Sequence, residues 1–301
     1  MKTSSSPTLV IIGAHGQLGR ALGDLPAPEG WDRLLLARPE IDVTDPLSVD
    51  KALENVTRGV VINATAYTAV DQAETESEQA YAVNRGGARH VALAAARNDV
   101  PVIHISTDFV FDGHKAGAYT EEDPVAPLSV YGASKLAGEQ ALAGANPRHL
   151  ILRTAWVFSR HAGCFPRTIF RLLRERPEIT VVEDQTGCPT AAEHLAGIIT
   201  AIAPNLIDRG PEDALFGLYH LAGQPASSRF ALAQAIGEEM ARQGLNPGKI
   251  LPRPTDPAAP GAQRPANSTL SSDRFTKAFG IEAPDWRTIL ADCVKAYQKT
   301  A

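Results

Sequence analysis

Near the start of the chain, an apolar run feeds directly into a glycine-punctuated turn: Thr8-Leu9-Val10-Ile11-Ile12 is followed by Gly13-Ala14-His15-Gly16-Gln17-Leu18-Gly19. A strand that is apolar on both faces belongs inside a parallel sheet with helices on either side. The next residues, Arg20-Ala21-Leu22-Gly23, read as helical. In a strand–turn–helix unit, the first glycine of Gly-x-x-Gly-x-x-Gly permits the tight turn, the second lets a pyrophosphate approach the backbone, and the third lets the helix sit close to the sheet. The free N–H groups and positive end of that helix then hold phosphates. Glycine spacing alone is weak evidence, and its place at the first strand–helix junction gives it weight. The chain is thereby committed to an α/β fold, a doubly wound parallel sheet with ligands at the carboxyl ends of its strands.

The same pattern recurs. Residues 33–38 read as a second strand, and Arg38 stands where NAD-preferring folds place an acidic ribose ligand. A guanidinium there suits a 2′-phosphate, with a solvent-facing arginine as the even alternative. Asp42 and Val43 would reach the adenine. A third strand, 59–63, opens into the small residues Ala64, Thr65 and Ala66, followed by Tyr67 and Thr68. A long helix over 78–98 follows, with Asn84 expected to pack or face solvent. The fourth strand, 101–105, delivers Ser106, Thr107 and Asp108 to the same edge, and His104 within it reads as core. The fifth, 148–154, ends just before Trp156, which would offer a flat wall to a sugar or base, with plain core packing as the competing reading.

Tyr131 and Lys135 lie four residues apart in the helix-forming run Val130-Tyr131-Gly132-Ala133-Ser134-Lys135. On a helix they share one face. An ammonium one turn away is expected to lower the phenol's pKa, and a tyrosine so placed can protonate an alkoxide as a hydride reaches its carbon. Alone, such a pair is more often a packed ring beside a solvated lysine. Thr107, delivered by the fourth strand, completes a Thr–Tyr–Lys set.

Composition excludes several classes. A net charge of −5 and pI near 5.9 leave no basic footprint for nucleic acid. The three cysteines are odd in number and widely spaced, which argues for a reducing cytoplasm rather than a disulfide framework or thiolate zinc site. No apolar run approaches membrane-spanning length, and the eight histidines show no metal-ligand spacing. With 301 residues the chain suits one large domain or two unequal ones. Residues 1–160 form the expected dinucleotide-binding domain, to which strands and helices of 178–222 return. Residues 161–177 and 223–301 form a smaller α/β substrate lobe, which the Pro-rich stretch 247–265 is expected to wrap.

Several runs carry a resemblance: Gly13-x-x-Gly16-Gln17-Leu18-Gly19, Asn63-Ala64-Thr65-Ala66-Tyr67-Thr68-Ala69-Val70-Asp71, Thr107-Asp108-Phe109-Val110-Phe111, Tyr131-x-x-x-Lys135, Asp184-Gln185-x-Gly187-x-Pro189-Thr190 and Arg264-Pro265-x-x-Ser268-x-Leu270. Together they resemble the dTDP-4-dehydrorhamnose reductases, within the extended short-chain dehydrogenases/reductases. The resemblance implies a Rossmann-like fold and NADPH-dependent reduction (NADH as the alternative) of a 4-keto dTDP-sugar. It also implies Tyr131 as proton donor, Lys135 as its electrostatic partner and a ribose ligand, and Thr107 as a substrate-polarising hydroxyl. Asp108, Trp156 and Arg264 would meet the substrate. Gly13, Gly16, Gln17, Leu18, Arg38, Asp42, Val43, Ala64, Ala66, Tyr67 and Thr68 would line the cofactor.

There are departures. Phe109 stands where many relatives have Tyr, and Cys164 where many have Asn. Some relatives dimerise through magnesium held by glutamates. Glu193 matches one of these, but Arg20 lies where an acid is required, so no metal is expected and monomer or homodimer stays open. Two alternatives also stay open: another nucleotide-sugar enzyme of the superfamily (an epimerase or dehydratase), or a non-catalytic regulatory subunit.

Overall fold

The structure, a computed structural model, describes residues 6–161 and 163–299. The apolar runs become β1 Thr8–Ile12, β2 Asp32–Leu36, β3 Gly59–Asn63, β4 Val102–Thr107 and β5 His149–Thr154. With Gly217–His220 they form one parallel sheet in the order Gly217–His220, β5, β4, β3, β1, β2. Ile12 pairs with both Leu36 and Asn63, so three strand ends finish level. The chain leaves β1 for β2 on one side and returns to β3 on the other. At such a reversal the crossover helices diverge and a crevice opens.

Alternation along β1 divides its apolar side chains between two layers. Leu9 and Ile11 pack with Leu195 and Ile199 of the helix Ala192–Ile202 on one face. Val10 and Ile12 pack with Val91 and Ala95 of the helix Ala88–Arg97 on the other. A third core gathers the helices Phe165–Glu175, Arg229–Arg242 and Leu290–Lys299 around Phe170, Ile236 and Val294.

Four expectations change. β2 ends at Leu36, leaving Arg38 beyond it. The helix expected over 78–98 is interrupted: Ser77–Tyr81 passes through a π-helical stretch, Ala82–Gly87, before Ala88–Arg97. The strand Glu178–Val182, expected to return to the main sheet, instead pairs in parallel with Lys249–Arg253. Ile179 and Val181 are apolar toward the third core, and their outward neighbours are exposed or half-exposed. The Pro-rich stretch does more than wrap the second lobe. Ala262 N and Arg264 Nη2 donate to Asp71 at 3.0 and 2.8 Å, tying it to the loop after β3.

Candidate active site

The strand ends and one helix meet at a cavity of about 590 Å³. Ser129 caps the helix Val130–Ala143, its hydroxyl accepting from Gly132 N at 3.2 Å. That cap fixes the start of the first turn, so Tyr131 and Lys135 project one turn apart into the same space. Thr107 closes β4; its hydroxyl donates to Asp108 Oδ1 at 3.0 Å and accepts from Phe109 N at 3.2 Å. Thr107, Asp108, Tyr131, Lys135, Trp156 and Arg264 line one part of the cavity, and Gly16, Gln17, Leu18, Ala64, Ala66 and Thr68 line the rest. A second cavity of about 490 Å³ shares Gly16 and Ala66 and runs past Gly13, Arg38, Val43 and Tyr67. The crevice between β1 and β3 thus leads from the glycine turn to Tyr131.

Among the described residues, three groups in this cavity are buried without a protein hydrogen-bond partner: Gln17 Oε1, Asp108 Oδ2 and Thr154 Oγ1. Buried polar atoms left unpaired are costly unless a ligand or water pairs with them. Their concentration here marks a site built for a polar ligand.

One placement differs from expectation, and two carry further contacts. The Asp42 carboxylate turns from the cavity to Thr44 N, Thr44 Oγ1 and Arg38, and the Thr44 bonds hold its pKa below the usual carboxylate value. Arg38 lines the second cavity while paired to Asp42 at 3.1 Å. Trp156 lines the first cavity, and the Arg229 guanidinium carbon lies 3.6 Å from the centre of its ring, over one face.

The expected acidification of Tyr131 is also overturned. Burial raises its pKa to about 12, the Asp108 charge adds to the rise, and the Thr107 hydroxyl opposes it. Desolvation disfavours the phenolate more than any neighbour favours it. Lys135 instead donates to Ile105 O at 2.6 Å. Burial lowers its pKa to about 8, against the Glu139 charge, which raises it. Asp108 is pushed up to about 6 by burial, opposed by the side chains of Ser268, Thr107 and Arg229.

Two supporting residues escaped the sequence reading. Asn84, in the π-helical stretch, is buried: its Oδ1 accepts from Tyr67 N at 2.8 Å, and its Nδ2 donates to Ser134 Oγ at 2.8 Å. It joins the loop after β3 to the helix bearing Tyr131. A π-helical turn often marks such a place, but the Ala-rich run around it reads as ordinary helix. Arg229 is the other, hidden because its neighbours come from distant segments. Among the described residues, no three of His, Cys, Asp and Glu gather as metal ligands.

A parallel sheet with a phosphate-type glycine turn at its crevice and a helical Tyr–Lys pair beside a strand-end threonine defines the short-chain dehydrogenase/reductase class. Residues 7–299 match the family described as RmlD substrate binding domain, and the chain belongs to that family. The dTDP-4-dehydrorhamnose reductase of Aggregatibacter actinomycetemcomitans is 40% identical over 292 residues, which cover 96% of this chain and 98% of that protein. The reductase of Mycobacterium tuberculosis strain H37Rv is 40% identical over 296 residues, covering 97% and 93%. Among solved structures, the dTDP-4-dehydrorhamnose reductase of Clostridium acetobutylicum superposes with a TM-score of 0.88 at 30% identity, covering 97% and 99% of the two chains. That of Bacillus anthracis, solved in complex with NADP, gives 0.86 at 31%, covering 98% and 100%.

Proposed function

We propose that this chain is an NADPH-dependent reductase that converts dTDP-4-dehydro-L-rhamnose to dTDP-L-rhamnose. The observation that carries the reading is the single cavity joining the glycine turn to Tyr131, with three unpaired buried polar groups inside it.

The residues present fit a dinucleotide. Gly13 has φ +93°, a conformation that glycine adopts without strain, and a Cβ at Gly19 would collide with the Gly13 carbonyl. The turn therefore stays bare for phosphates, and Gln17 Oε1 is an unpaired acceptor beside it. Gly13, Gly16, Gln17, Leu18, Ala64, Ala66, Tyr67 and Thr68 would hold the cofactor, with Arg38 reading its 2′-phosphate and Lys135 its ribose. NADPH supplies the hydride when bound. Ketone reduction then needs an acid, and a phenol whose pKa is raised to about 12 stays protonated at neutral pH. Tyr131 passes its proton to the C4 oxygen, and the Lys135 ammonium offsets the phenolate left behind. Thr107 orients the carbonyl oxygen, and Asp108 Oδ2 accepts from a sugar hydroxyl. The unpaired cysteines suit a cytoplasmic place of work.

The test is NADPH consumption, followed by absorbance, with dTDP-4-dehydro-L-rhamnose made in situ. Consumption with formation of dTDP-L-rhamnose is expected. A folded protein that consumes neither NADPH nor NADH with this substrate would overturn the reading.

A further inference from the structure

Arg229 opens the helix Arg229–Arg242, and its side chain reaches across to the cavity. The guanidinium carbon lies 3.6 Å from the Trp156 ring centre and 4.8 Å from that of Phe165. At 3.6 Å a planar guanidinium can only lie flat on the indole, a geometry that fixes its plane and leaves its in-plane donors free. Trp156 is itself held: its φ is +47°, and a Cβ at Gly187 would collide with its ring. A side chain kept in that backbone region at a cavity wall carries strain that the surroundings must enforce.

Among the described residues, no acceptor bonds the Arg229 guanidinium, and no carboxylate lies within ion-pair distance of it. The other arginine of this cavity differs, because Arg264 bonds Asp71 and Ala262 O. Asp108 attracts Arg229 without pairing to it, and keeps its own Oδ2 free. A preorganised, half-buried cation with unused donors faces the space where a doubly charged nucleotide sugar would lie. Arginine is suited to such a place because its fork matches phosphate oxygens two at a time.

We propose that Arg229 is a substrate-binding residue whose guanidinium, laid flat on Trp156 beside Phe165, takes the diphosphate of the nucleotide sugar. This rests on the reading of the chain as a dTDP-sugar reductase. Trp156 then carries Arg229 on one face of its ring while still lining the cavity.

Calorimetry with dTDP, thymidine and NADPH tests it on the wild type, Arg229→Gln, Arg229→Met and Arg229→Lys. Loss of charge-assisted bonds predicts dTDP binding roughly tenfold weaker or more in the Gln and Met variants, with an intermediate loss in Lys. Thymidine and NADPH affinities should hold in all four, and the variants' KM should rise more than kcat falls. If Arg229→Met, which keeps the apolar stem and can still cover the indole, binds dTDP as tightly as the wild type, the residue is packing and the proposal fails. Wild-type protein that binds dTDP and turns over while Arg229→Gln matches it also defeats the proposal, yet leaves the reductase reading intact. Wild-type protein that binds NADPH but neither binds dTDP nor turns over defeats both.

Discussion

Burial moves Tyr131 and Lys135 in directions that serve reduction, the phenol up to about 12 and the ammonium down to about 8. Below the lower value the acid is protonated and its neighbour is charged. As pH rises through about 8, Lys135 loses the charge that offsets a phenolate while Tyr131 keeps its proton. The kcat profile should therefore hold at neutral pH and fall on the alkaline side from about pH 8; a flat profile to pH 10 would remove Lys135 from this role. Tyr131→Phe should lower kcat by roughly 10²-fold or more, the scale of general acid catalysis, with NADPH affinity kept. Arg38→Asp should shift preference from NADPH toward NADH, read as the ratio of kcat/KM for the two cofactors. That Tyr131, Lys135 and Thr107 share one cavity was legible, because helix periodicity and strand ends place them. The sign of the Tyr131 shift was not, since it depends on depth, which spacing does not encode. Nor were Asn84 and Arg229, whose partners lie far away in sequence.

At the scale of an element, the helix Val130–Ala143 is held against the sheet by a buried ion pair. Glu139, one turn beyond Lys135, accepts from Arg153 of β5 through both carboxylate oxygens, at 2.9 and 2.7 Å, and from Ser106 of β4. The two side chains are only 4% and 6% exposed. Removing one partner of such a pair strands the other charge without solvent, at a cost of about 3–5 kcal/mol. Glu139→Gln should therefore lose stability on that scale in denaturant titration, and a loss under about 1 kcal/mol would mean that water replaces the carboxylate. The strands could be read from apolar runs and this helix from its helix-forming composition. The partner strand Lys249–Arg253 could not, because Pro252 interrupts its pattern, as a sheet edge tolerates. The interruption at Ala82–Gly87 was equally hidden, since an extra residue in a turn leaves composition unchanged.

Across the whole molecule, the strap that follows Lys249–Arg253 brings Arg264 to the cavity wall. Its residues 251–261 are exposed; Thr255 N and Oγ1 donate to Asp184, and Ala262 and Arg264 then bond Asp71 across 191 and 193 residues of chain. Separations of that size explain why the sequence pointed to the second lobe for this stretch and not to the loop after β3. The Arg264–Asp71 pair is 37% and 56% exposed, so its worth to global stability is about 0–1 kcal/mol. Its position matters more, because Arg264 lines the cavity while bonded to Asp71. Asp71→Ala should leave the melting temperature nearly unchanged, speed proteolytic cleavage between residues 254 and 261, and raise KM for the nucleotide sugar above any change in kcat. Because stability is almost untouched, unchanged cleavage together with unchanged KM would show that the strap keeps its place without Asp71.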